Sequence, residues 1–361
     1  MKFYKVLFIS LCLLFLCGCN KEPKVTVEKG PGLELIDKEK KETPTEVIEE
    51  SIKQPELTIV KKGSTSRPYA VMINNISVAR PLQSGLQDAY IIYELIVEGG
   101  ITRYMALFMD QNTTRIGTVR SARHYFLDYA LENDAIYVHH GKSPQAKEDF
   151  TKLNIDRIEI NDTSTGWRDK SLKVAKEHTL YTNIEKLNSG LGKKRTIRNK
   201  NLLLNYSIDE IDLSKYNNAI KADSVKITYS GSTTSGYTYD KEHGYYLRDV
   251  NGKKHTDYVT KEQYHFKNII TYQVKNTTLK DGSNKNRQEI DNIGKGSGYY
   301  ITNGYAIPIT WEKKSRAEQT IYRMENGEEL VVNDGNTFIQ IQPTGKKLEI
   351  KWKGEYDGRS I

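Results

Sequence analysis

Beyond Ser224 the chain is cut into short alternating runs by turn dipeptides, and this punctuation limits its fold more than any other feature. VKITYS, GYTYD, GYYLRDV, IITYQV, GYYITN, YAIPITW, EELVV, TFIQIQ and LEIKWK are separated by turn signals that include Asn251-Gly252, Asn303-Gly304, Asn326-Gly327 and Asp334-Gly335. Asn-Gly and Asp-Gly supply the positive φ angles of tight hairpins, so residues 224–354 are expected to form a β-sandwich or a curled antiparallel sheet. Tyr237, Tyr239, Tyr245, Tyr246, Tyr299 and Tyr300 could make a carbohydrate-stacking surface or could follow the general preference of strands for aromatic residues. Gly294-Lys295-Gly296-Ser297-Gly298 lacks the spacing and the following helix of a phosphate loop, and it reads as a glycine-rich turn.

The first half has a different rhythm. PYAVMINN reads as a buried strand, and AYIIYELIVEGGITRYMALFM as two strands joined at Gly99-Gly100. A two-glycine turn places Glu98 opposite Ile101, Ile96 opposite Arg103 and Glu94 opposite Met105. Glu94, Ile96 and Glu98 then share a face with Arg103, while Tyr93, Leu95 and Val97 join Tyr104 and Phe108 on the core side. The carboxylates and the arginine could lace a strand surface or form an acid/base or ligand site. Ser121 is expected to cap a helix through RHYFLDYALEN, flanked by Arg120 and Arg123. Cations at a helix start oppose its dipole, so these two need a carboxylate partner or a bound anion. DAIYVHH reads as a strand, Ser143 and Pro144 open a helix to about Asn154, and IDRIEIN returns as a strand. His139 and His140, adjacent on a strand, point to opposite faces and cannot chelate one ion together. The fold class is therefore α/β for residues 67–200, a mixed sheet with helices, followed by a connecting segment 201–223 and a mainly antiparallel β domain over 224–354.

All three cysteines, Cys12, Cys17 and Cys19, fall in the first twenty residues, which excludes a disulfide, a thiolate metal site or a thiol nucleophile in the body. Lys2 and Lys5, an apolar run from Val6 to Leu16 and the sequence Leu16-Cys17-Gly18-Cys19 read as a lipoprotein signal over 1–19, with Cys19 as the diacylglyceryl attachment residue. The run is too short for a membrane span, which needs roughly 20 apolar residues. Residues 20–66 carry nine basic and ten acidic side chains and few aromatics, the composition of a tether. A net charge of +8 over 361 residues is too dilute for a dedicated nucleic-acid binder. The basic stretch 188–200 reads as an exposed loop. His243, His255 and His265 are scattered without metal-site spacing, and neither a GxSxG elbow nor an SxxK pair is present, so no metal, cofactor or nucleophile is expected.

RPYAVMINN, RPLQSGL, YELIVEGGITRYMALF, IGTVRSAR, DAIYVHHGKSPQA, WRD and HTLYT together resemble the YerB-like family of bacterial lipoproteins, over nearly all of the chain after the tether. The resemblance implies a three-layer αβ domain, a β-rich C-terminal domain and a lipid anchor on the outer face of the cell membrane. It implies no established reaction, cofactor or catalytic residue. Positions matching the family's polar motifs are Arg80, Glu94, Glu98, Arg103, Arg120, Ser121, Arg123, His139, Gly141 and Ser143, and all but the last two are candidate ligand-binding residues. Family members often carry Pro at the position of His124 and an apolar or small residue at that of His140, which speaks against a general role for either. The expected function is binding of an anionic cell-wall polymer or an envelope protein without chemistry of its own. The alternative is a wall-polymer hydrolase or transferase that uses Glu94 or Glu98 with the arginines.

Overall fold

The computed structural model describes residues 56–356. The signal, Cys19 and most of the tether lie outside the described residues. Residues 56–66, assigned above to the tether, lie against the body: the Thr58 amide and hydroxyl donate to Asp334 Oδ2 at 2.6 and 2.8 Å, and Ser66 bridges Ile197.

The first half supplies strands β1 (Tyr69–Asn74), β2 (Ile91–Ile96) and β3 (Thr102–Phe108), helix α1 (His124–Glu132), strand β4 (Ile136–His139), helix α2 (Pro144–Lys152) and strand β5 (Arg157–Glu159). The second half adds β6 (Ser224–Thr228), β7 (Thr234–Asp240), β8 (Tyr245–Val250), β9 (Asn268–Thr278), β10 (Gln288–Asp291), β11 (Gly294–Thr302), β12 (Tyr305–Lys313), β13 (Thr337–Pro343) and β14 (Leu348–Lys351). Helices packed on a mixed sheet are followed by a β-rich C-terminal region, as the sequence patterns require.

One sheet runs through both halves, in the order β12-β11-β9-β13-β2-β3-β1-β4-β5. The joint is β13, which lies parallel to β2 on one side and to β9 on the other. Its seven residues are all buried, the pattern of a strand covered on both faces. Residues 201–223 also pair with the second half, since Asn205–Ser207 runs beside Val331–Asn333 and Ile220–Lys221 beside β12. A second sheet, β8-β7-β6-β14 with short additions, covers one face of the large sheet, and α1 and α2 cover the other. The three layers are thus helix, sheet and sheet, with the third layer drawn from the C-terminal half.

The hairpin differs from the two-residue expectation. Its loop has three residues, Glu98-Gly99-Gly100, with Gly99 at φ 66°, and it closes between Val97 and Ile101. Glu94 therefore pairs with Tyr104, and Leu95 with Arg103. A one-residue slip exchanges faces. Arg103 consequently shares the helix-side face with Tyr93 and Leu95, whereas Glu94 and Tyr104 face the second sheet. Helix α1 also begins later than expected, because Arg123 is its N-cap residue and Ser121 caps nothing. Ser143 does cap α2, accepting from the Ala146 amide at 3.1 Å, with Pro144 next.

Of the six tyrosines considered for sugar stacking, Tyr237, Tyr246 and Tyr300 are buried in the core. The run Gly294–Gly298 forms the start of β11 rather than a turn.

A candidate anion-binding crevice

β1 and β4 run parallel and separate at their carboxyl ends, the position where open α/β sheets bind ligands. Residues 119–122 insert there. The Arg120 amide donates to Met72 O, the His140 amide to Arg120 O, and the Ala122 amide to Gly141 O. This segment delivers Arg120, Ser121 and Arg123 to the crevice and leads directly into α1.

Arg103 reaches the same place from β3. Its Nη1 donates to Ser121 O at 2.7 Å, and its Nη2 lies 3.8 Å from Glu98 Oε2. Its Nε is buried without a partner among the described residues. Arg123 Nε donates to Glu98 Oε1 at 2.5 Å, so one carboxylate serves two guanidinium groups. Burial and the charge of Arg123 pull Arg103 down to about 9, against the opposing pull of Glu98, while Arg120 adds to the lowering. Burial pushes Glu98 upward, but Arg123 and Arg103 hold it below the usual carboxylate range. Arg120 bonds the more exposed Glu177 at 3.0 Å. His178 Nδ1 accepts from Asn74 Nδ2 at 2.9 Å, and burial keeps this imidazole below its ordinary value. Helix α1 starts over this cluster with no side-chain cap and no acidic residue in its first turn.

His139 lies on the helix side, stacked on Phe150 of α2, with ring centroids 4.9 Å apart. Its Nδ1–H donates to Gly141 O, which leaves the Nε2 lone pair buried and unpartnered. Burial lowers its pKa to about 4. His140 turns the other way, between Ile160 O and Arg168.

Glu94 and Arg80 belong elsewhere. Glu94 has no accessible surface; its Oε2 accepts from Arg248 Nη2 at 2.9 Å, from Ser235 and from Gln340, and its Oε1 accepts from Thr102 at 2.6 Å. Arg248 continues to His255 Nδ1, His255 Nε2–H to Gln83 Oε1, Gln83 to Asn75 Oδ1, and Asn75 to Thr102, which closes a ring. Arg80 bonds Asn75 at the rim of this ring. The expectation that Glu94 would share a face with Arg103 is corrected here: the register places it on the opposite face. Glu98, Arg103, Ser121 and Arg123 do come together, with Arg120 beside them.

Sequence reasoning missed Arg248, Asn74, Glu177 and His178. Arg248 lies within an alternating strand and carries no motif. Its burial is visible only as the position between Leu247 and Asp249 that turns inward. Among the described residues there is no group of three or more His, Cys, Asp or Glu placed to hold a metal, and no helix long and apolar enough to cross a membrane.

A helix layer, a sheet shared by both halves and a second β layer define a two-part αβ protein with a β-rich C-terminal half. Residues 57–198 match the N-terminal domain, and residues 225–339 the C-terminal domain, of a protein family of unknown function, DUF3048. The chain is 32% identical over 302 residues to the Bacillus subtilis (strain 168) protein named "Putative lipoprotein YerB", covering 82% of this chain and 86% of that one. The crystal structure of YerB protein from Bacillus subtilis superposes with a TM-score of 0.67 at 28% identity, over 79% of this chain and 94% of that chain. The chain belongs to the YerB-like family.

Proposed function

We propose that this chain is a membrane-anchored, extracytoplasmic lipoprotein that holds a phosphate- or carboxylate-bearing envelope ligand at the Arg103–Arg123 cluster. The anchor is the diacylglyceryl group on Cys19, in keeping with the name of the Bacillus relative. The observation that carries the binding reading is Arg103: a side chain only 7% exposed, sharing one carboxylate, 3.8 Å away, with the guanidinium of Arg123, and with its Nε unpaired among the described residues. An anion arriving beside Arg103, Arg120 and the uncapped start of α1 supplies the missing negative charge. A hydrolase or transferase reading finds less support, because Glu94 is sealed from solvent and Glu98 is held by two arginines.

Melting curves in phosphate and in chloride at matched ionic strength test the binding. A ligand that binds only the folded state at tenfold over its Kd adds roughly 1.4 kcal/mol. Phosphate is expected to raise the melting temperature of the unmodified protein and to leave Arg103→Met and Arg120→Ala unchanged relative to chloride. Equal phosphate shifts in all three would oppose the proposal. Separately, Cys19→Ala is expected to release the protein from the membrane fraction or leave it unprocessed.

A further inference from the structure

The second sheet has an outer face, away from the large sheet, and that face is concave. β6, β7 and β8 alternate with period two, so Ser224 and Lys226, Gly236 and Thr238, and Asp249 point outward, while Val225, Tyr237 and Arg248 point into the core. Gly236 sits in the middle strand, paired with Lys226 on one side and Asp249 on the other. A glycine inside a strand lets another group approach the backbone closely. Here the Asp249 carboxylate lies across it, in the space that a Cβ at Gly236 would occupy. The result is a groove of about 670 Å³, within the range of about 300–1,000 Å³ typical of ligand sites.

The lining is polar and balanced in charge: Lys226 and Lys351 face Asp249 and Glu349 among hydroxyl and amide side chains. Asp249 Oδ1 accepts from the Gly252 amide at 3.0 Å, while Oδ2 has no partner among the described residues. Glu349 is already engaged, accepting from Lys347 Nζ at 2.6 Å with Lys351 Nζ 3.7 Å away, whereas among the described residues Lys226 Nζ forms no ion pair and the hydroxyls of Ser224 and Thr238 form no hydrogen bond. The free groups, one ammonium on Lys226, one carboxylate oxygen on Asp249 and the hydroxyls of Ser224 and Thr238, thus mix donors and acceptors over a few ångströms with no excess of either sign. A polyanion or polycation would meet equal repulsion and attraction there, whereas a chain of hydroxyl groups, each both donor and acceptor, matches it. We propose that this groove binds a neutral saccharide chain. This site is independent of the arginine crevice on the other side of the large sheet.

The test is an amide NMR titration of the protein with three neutral tetrasaccharides, built from N-acetylglucosamine, glucose and mannose. At least one is expected to shift signals on β6, β7, β8 and β14, and to bind tenfold or more weakly to Asp249→Ala. Thr238→Trp, which fills the groove from an exposed position, is expected to abolish the effect without altering the melting temperature. Three outcomes would each overturn the proposal: no binding by any of the three, equal binding in both variants, or shifts in the groove produced only by an anionic polymer or a peptide.

Discussion

At the scale of single residues, the decisive contrast lies between two glutamates four positions apart. Glu94 and Arg248 are both fully buried and meet at 2.9 Å inside a closed ring of hydrogen bonds. Burial draws Arg248 down, but Tyr104, Tyr237 and Glu94 outweigh it, and its pKa rises. Glu94→Ala removes one partner and strands the other, a loss of about 3–5 kcal/mol for a buried pair. Urea unfolding should show that loss, and a change below about 1 kcal/mol would contradict the reading of the ring as a structural joint. Histidine chemistry gives a second expectation. Burial lowers His139 to about 4 and His255 well below its ordinary value. Below about pH 6.5 the unfolded chain therefore takes up protons that the folded chain refuses, and stability falls as pH falls toward 4. The loss approaches about 1.36 kcal/mol per pH unit for each histidine in that window. Unfolding free energies at pH 7, 6 and 5 measure it; a flat profile would contradict it, and His139→Gln should reduce the slope. None of this was legible in the sequence, where Glu94, sealed between the sheets, and Glu98, in the hairpin loop, look alike.

At the scale of elements, legibility followed the strength of local signals. The strands, the capped start of α2 and the β-rich second half could all be read because alternation, Ser-Pro capping and turn dipeptides act within a few residues. Ser143→Ala removes the bond to the Ala146 amide and should cost about 0.5–2 kcal/mol, measurable as a lower urea midpoint with unchanged slope. Register was not legible. Gly99-Gly100 signals a hairpin, but Glu98 also joins the loop, and the odd loop length shifts every opposed pair by one residue. That single shift sent Glu94 to the inter-sheet ring and Arg103 to the crevice. The start of α1 was misplaced for a related reason. Residues 119–122 find backbone partners at the splayed ends of β1 and β4, and these tertiary bonds hold them extended against the local tendency of Ser121 to cap.

At the scale of the molecule, the two regions recognised by the family descriptions are not separate in their bonding. β13, near the end of the chain, sits beside β2, and two buried ion pairs, Glu94–Arg248 and Glu132–Lys313, tie the halves together. Equilibrium unfolding should therefore be a single transition with coincident fluorescence and circular-dichroism curves, and two resolved steps would contradict this. The same continuity keeps the crevice in shape, since α1 is held from below by β2 and from the far side by Lys313 and Arg316. The sequence alone predicted arginines near a helix start; the fold brings a third, from β3, beside them and turns Glu94 away. The most direct test of the anion-binding account is a crystal soaked in selenate and measured at the selenium edge. The account predicts one anomalous peak within hydrogen-bonding distance of Arg103 or Arg120 at the start of α1, lost in Arg103→Met. A map with no peak there, or with the same peak in that variant, would contradict it.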